Sequence, residues 1–78
     1  MNQQLYEATG AGLSQADRIL AKLREAAGGW VQMPQLVQAS GAYAVHSRIA
    51  DLRKRGLRIE QESVNRGRLV FSFYRLQE

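Results

Sequence analysis

The sequence predicts a small α+β domain: three helices with a small antiparallel β-sheet, in the order α-β-α-α-β-β. Three observations carry that prediction. Residues 42–56 form a basic amphipathic segment that stops at Gly56, with Val45, Ile49 and Leu52 spaced i, i+4, i+7 so that one side is buried. Beyond Gly56, Leu57 and Ile59 alternate with Arg58 and Glu60, and residues 69–76 form a second strand-like run, the period of half-buried strands. Ahead of both, Ser40-Gly41 separates the basic segment from a shorter apolar one.

Residues 1–13 carry Gly10 and Gly12 with little apolar periodicity and are expected to form a flexible N-terminal arm ahead of a domain over residues 14–76. Leu5 and Tyr6 are the arm's candidates for docking on that domain. Helix 1 is expected to begin at Ser14, because Asp17 stands three residues on, in the place of a capping-box acid. Ile19, Leu20 and Leu23 make its apolar stripe, joined by Ala16, Ala26 and Ala27, and Gly28-Gly29 ends it.

Trp30-Val31 is apolar and β-prone, so a brief strand is expected there, with Trp30 in the core. Pro34 is tolerated only in the first turn of a helix. Helix 2 therefore runs roughly over residues 33–39, burying Leu36, Val37 and Met33. Helix 3 is expected from about Ala42 to Arg55 with Gly41 or Ser40 as N-cap, and Gly56 supplies a left-handed C-cap. Two helices joined by a short glycine-containing turn make a helix-turn-helix candidate. Val64-Asn65-Arg66-Gly67-Arg68 reads as the turn of a hairpin with a basic tip, its Asn and Gly accepting positive φ.

The chain of 78 residues has room for one small domain, and its composition is that of an ordinary globular protein. No cysteine is present, so neither a disulfide framework nor a thiolate zinc site is available. A secretory leader and a run of about 18 apolar residues are both missing from the pattern, and the expected location is cytoplasmic. The net charge is +4, which favours polyanionic partners. Much of it is local: Arg48, Arg53, Lys54 and Arg55 face only Asp51 within residues 42–56.

Gly29-Trp30-Val31, Pro34-x-Leu36-Val37, Arg48-Ile49-x-x-Leu52-Arg53-x-x-Gly56-x-x-Ile59-Glu60, and Gly67 ahead of Tyr74-Arg75-Leu76 together resemble the small bacterial and phage-associated winged helix-turn-helix proteins. The resemblance spans residues 14–76. It implies duplex DNA binding, with helix 3 in the major groove and the hairpin tip, the wing, near the backbone or minor groove, and a phage- or prophage-type transcriptional regulator as the role. The sequence departs from that class at two places. Gln32 and Gly41-Ala42 stand where Ser or Thr often begins helices 2 and 3, and Gln32 is a poor N-cap, so a phosphate contact at helix 2 is less well prepared.

On a wheel of about 100° per residue, burying Val45, Ile49 and Leu52 turns Tyr43, Ser47, Ala50 and Lys54 outward, with His46 and Arg53 along one flank. Ser47, His46 and Tyr43 supply donors and acceptors for base edges, and Ala50 suits a thymine methyl. Arg53 and Lys54 suit phosphates, as Arg55 does. Asn65, Arg66 and Arg68 belong to the wing, where an arginine can enter a narrow minor groove. Four phosphate contacts would give a log–log salt slope of about −3 to −4, at roughly −0.9 each.

Each assignment has a structural rival. Arg48 either contacts DNA or pairs with Glu60 or Glu62, Tyr43 can pack on helix 2, and Arg66 and Arg68 can serve only to keep an exposed hairpin from pairing with another edge. His46 lacks the neighbours of a metal ligand, the acids are scattered, and no phosphate loop occurs, so no metal, cofactor, small-molecule ligand or catalytic site is expected. Phe71 and Phe73 fall on one face of the last strand and Val70, Tyr74 and Leu76 on the other, so that either the arm or a homodimer through this strand covers the second face. Two rival functions follow: a protein-interaction module of a larger assembly, or RNA and single-strand binding with Phe71 and Phe73 stacking bases.

Overall fold

A computed structural model of the chain describes residues 14–78; the expected arm over residues 1–13, with Leu5 and Tyr6, lies outside them. Helix α1, Gln15–Glu25, begins at the expected box: the Asp17 amide donates to Ser14 Oγ at 3.1 Å and the Ser14 amide donates to Asp17 Oδ2 at 3.3 Å. Strand β1, Val31–Gln32, runs directly into α2, Met33–Ser40, with Pro34 in the first turn. The Gln32 amide donates to Gln35 Oε1 at 3.3 Å, so the side chain three residues into α2 satisfies one donor at a start that Gln32 itself caps poorly.

Helix α3 is Val45–Lys54, three residues shorter at its start than the sequence suggests. Gly41, at φ 73°, ends α2 with a left-handed residue rather than opening α3. Ser40 then holds the chain out of helix: its Oγ donates to the Leu36 carbonyl at 2.7 Å and accepts from the Ala42 amide at 3.1 Å. Ala42 is thereby pinned in the core, 1% exposed, and the N-cap of α3 falls to Ala44, which has no side chain to cap with. At the other end the expected C-cap is present. The Gly56 amide reaches the Arg53 carbonyl at 2.9 Å and the Leu57 amide the Leu52 carbonyl at 3.2 Å, a Schellman pair, with Gly56 at φ 96°.

Strands β2, Arg58–Arg66, and β3, Leu69–Gln77, form a long antiparallel hairpin, and β1 adds to the far side of β3, giving the sheet order β1-β3-β2. The expected five-residue turn is corrected to two residues. Arg66 pairs with Leu69, leaving Gly67 and Arg68 as the loop, and Gly67 alone takes a positive φ, 62°, the pattern of a type II′ turn. Asn65 lies within β2, opposite Val70.

The core lies between the helices and the inner face of the sheet. Ala16, Ile19 and Leu23 of α1, Leu36 of α2, Val45, Ile49 and Leu52 of α3, and Val31, Ile59, Tyr74 and Leu76 of the sheet fill it. Three residues expected to be buried are outside it: Val37 and Trp30 are each 40% exposed, and Ala27, past the end of α1 at φ 50°, is exposed too. Trp30 instead carries the Arg75 guanidinium, 4.6 Å above its ring, and Arg75 Nε donates to Glu60 Oε1 at 2.6 Å across the β2–β3 pair. Among the described residues no helix is long and apolar enough to cross a membrane.

Candidate nucleic-acid interface

The outward side of α3 is set by its buried one. With Val45, Ile49 and Leu52 in the core, His46, Ser47, Ala50, Arg53 and Lys54 are all exposed. Ser47, Ala50 and Lys54 share one stripe at i, i+3, i+7, and His46, Ala50 and Arg53 share the adjoining one. Tyr43 is a correction to the helical wheel, since it precedes α3. It does not pack on α2 either: it is entirely exposed, at 103% of its reference area, immediately ahead of a helix start with no side-chain cap.

The basic residues are less available than their number suggests. Arg53 is committed to the fold, its Nε and Nη2 donating to the Ile59 carbonyl at 3.2 and 2.7 Å, which ties the end of α3 to β2. Arg55 Nη1 donates to Asp17 Oδ1 at 2.8 Å, joining α3 to the start of α1. That guanidinium, followed by the Ser14 hydroxyl, holds the Asp17 carboxyl below its ordinary value. Arg48 takes neither Glu60 nor Glu62. Its Nε sits 3.0 Å from Asp51 Oδ2, one helical turn on, at an angle that makes no hydrogen bond, so this buried nitrogen has no hydrogen-bonding partner among the described residues. Lys54, Arg58, Arg66 and Arg68 are exposed and have no acidic partner among the described residues.

His46 marks where the helix meets the hairpin. Its Nδ1 and the Tyr74 hydroxyl share a hydrogen bond of 2.9 Å, with the rings edge to face at 6.0 Å. Tyr74 is fully buried, and burial pushes its phenol upward, which keeps the hydroxyl protonated. A neutral imidazole that accepts this hydrogen bond carries its own proton on Nε2. His46 is thus partly a structural residue, though its ring remains exposed.

From the Tyr74 row the same face of the hairpin continues toward the tip. Tyr74 pairs with Gln61, Ser72 with Ser63, and Val70 with Asn65, and alternation places all six on the α3 side. This strip is mostly polar, and of its polar members only Asn65 is a site candidate from the sequence. Gln61 and Ser63 lie beyond Glu60, where the alternation of β2 stops, and Ser72, within the expected strand 69–76, has neither charge nor apolar bulk to mark it. Counting back from a two-residue Gly67-Arg68 turn would have found them. Arg66, by the same alternation, belongs to the opposite face, with Glu62, Val64, Leu69, Phe71 and Phe73. The structure therefore keeps His46, Ser47, Ala50 and Lys54 on the exposed side of α3 with Tyr43 just ahead of it, puts Asn65 on the hairpin face that turns toward α3, leaves Arg68 at the turn, and puts Arg66 on the opposite face. The chain matches no protein-family model, no curated protein and no solved structure.

Proposed function

We propose that the protein is a duplex-DNA-binding module of the winged helix-turn-helix type, with α3 as the recognition helix and the hairpin as the wing. The observation that supports this best is the outward stripe of α3. Ser47 and Ala50 are small, Lys54 is without an acidic partner among the described residues, and together they leave a low ridge that a major groove about 12 Å wide accommodates. Tyr43 and His46 stand at the leading end of that ridge as hydrogen-bonding groups, and Gln61, Ser63, Ser72 and Asn65 extend the polar surface along the hairpin. Lys54 and Arg68 serve phosphates. Direct base readout is limited to short side chains, so that affinity rests mainly on charge. A regulatory role of the phage type follows from the sequence resemblance, not from the site.

With Arg53 and Arg55 engaged in the fold, two to three phosphate contacts remain per copy. The log–log salt slope for a generic duplex is then about −2 to −3, shallower than the basic sequence alone implies. Fluorescence anisotropy of a labelled duplex at several salt concentrations tests this. Lys54→Ala combined with Arg68→Ala should reduce the slope by about two, at roughly 0.9 per lost contact. Absence of binding at low salt would overturn the reading. Preferential binding of single strands in competition would replace it with a stacking mode on Phe71.

A further inference from the structure

The face of the hairpin turned away from α3 carries a pattern that is its own complement. Its cross-strand rows, from base to tip, are Arg58 with Gln77, Glu60 with Arg75, Glu62 with Phe73, Val64 with Phe71, and Arg66 with Leu69. The second row is satisfied internally by the Glu60–Arg75 ion pair, whose guanidinium stacks on Trp30. The three distal rows are not. Phe71 is 40% exposed and Leu69 61%, while Glu62 and Arg66 have no ion-pair partner among the described residues. Glu62 and Arg66 lie two residues on either side of Val64, on one strand and one face.

We propose that this outer face pairs with the same face of a second copy, about a two-fold axis lying across the strands at the Val64–Phe71 row. Sheets stacked about 10 Å apart in this way place Val64 and Phe71 against their own counterparts and Phe73 against Leu69 of the other copy. The same rotation sets each Glu62 against the other copy's Arg66, twice per dimer. An opposite charge at equal distance on each side of the apolar centre is what a two-fold contact between copies needs. The charge order therefore favours a second copy over an unrelated protein. The contact is small: from Glu60 to Arg66 the strand rises about 20 Å, and the apolar part is about two strands wide. That is short of the ≈ 800 Å² per partner of a standard-size interface, which puts the contact in the size class of weak, transient association. The helices stay outside the paired sheets, and the outward stripe of α3 remains uncovered. The dimer does not depend on the duplex-binding reading.

The test is sedimentation of the full chain over a micromolar concentration series, with charge reversals at the two positions. Glu62→Arg alone, or Arg66→Glu alone, sets like charges across the axis at both contacts and should weaken the dimer by about tenfold or more. The double exchange, Glu62→Arg with Arg66→Glu, restores opposite charges and should return the affinity to within a few-fold of the original. All three variants change exposed side chains, and circular dichroism checks that each remains folded. Three results would overturn the proposal: a wild-type chain that is monomeric at several hundred micromolar, a dimer that neither single reversal weakens, or a double exchange that gives no recovery. The second would be the behaviour of edge-to-edge pairing through β2.

Discussion

The two halves of the hairpin have opposite polarity. Near its base the inner face is apolar and buried, with Ile59, Tyr74 and Leu76, while the outer face carries the Glu60–Arg75 ion pair. Past the row where Glu62 meets Phe73, the arrangement inverts: the inner face presents Ser63, Ser72 and Asn65, and the outer one Phe73, Val64, Phe71 and Leu69. A strand that served only to close the core would keep its apolar residues on one side throughout. The base of the hairpin therefore belongs to the core, with Ile59, Tyr74 and Leu76, and the distal part lies outside it. Three residues do not follow the rule: Val70, exposed on the inner face opposite Asn65, Gln61, polar on the inner face opposite Tyr74, and Arg66, charged on the outer face opposite Leu69.

The sharpest way to break this comparison uses one substitution at two places on one strand. Leu76→Ala removes a side chain only 4% exposed and should cost about 2–5 kcal/mol, a large share of the stability of so small a domain. Leu69→Ala, at a residue 61% exposed, should change stability by no more than about 0.5 kcal/mol. Urea denaturation of both variants measures the contrast. Equal losses would mean that the distal half belongs to the core after all.

A smaller contrast separates two neighbours on α3. Arg53→Ala frees the Ile59 carbonyl from two guanidinium hydrogen bonds and should destabilise the fold by about 1–2 kcal/mol. Lys54→Ala should leave stability unchanged and weaken duplex binding. Thermal melts beside anisotropy titrations distinguish them, and a stability loss at Lys54 would move that residue from the binding surface into the scaffold.

At the tip, Gly67→Ala tests how independent the distal half is. Nothing among the described residues lies within 4 Å of the added Cβ, so the cost is that of the left-handed backbone at φ 62°, about 1 kcal/mol. Amide exchange should quicken in the rows nearest the turn, Arg66–Leu69 and Asn65–Val70, and stay unchanged in the Ile59–Leu76 row. Faster exchange at the base would show that the hairpin opens as one piece.

How far the sequence disclosed this division depends on which force set each element. The Ser14–Asp17 box, the Val45–Ile49–Leu52 stripe and the Gly56 cap are local signals, and the structure follows them. The start of α3 is not local: Ala42-Tyr43-Ala44 has no helix-breaking residue, and the chain stays out of helix there because Ser40 Oγ holds the Ala42 amide and Ala42 is buried. Residues 60–65 lack a strand's alternation, being almost wholly polar, and they extend because β3 pairs with them. Trp30 looks like core by size, but β1 enters the sheet at Val31 and leaves Trp30 under Arg75. For the candidate interface, the face of α3 was legible from its period. The commitment of Arg53 and Arg55 to the fold was not, because their partners lie 6 and 38 residues away in sequence.

The smallest effect concerns the Asp17–Arg55 pair, which ties the start of α1 to the end of α3, a link among the helices with no counterpart in the distal hairpin. Its carboxyl is held below the ordinary 3.8, first by Arg55 and then by Ser14, so the folded state binds this proton less readily than the unfolded chain does. The pair's contribution is therefore fully present above about pH 4 and is lost as pH falls through the lowered value. Because the pair is exposed, salt should diminish it. Asp17→Asn removes the charge while keeping a side-chain acceptor for the Ser14 amide, and its stability should fall less between pH 5 and pH 2 than that of the parent chain. Parallel slopes for the two proteins would show that other carboxylates govern acid unfolding. A difference that persists in molar salt would mean that capping of α1, rather than the ion pair, carries the effect.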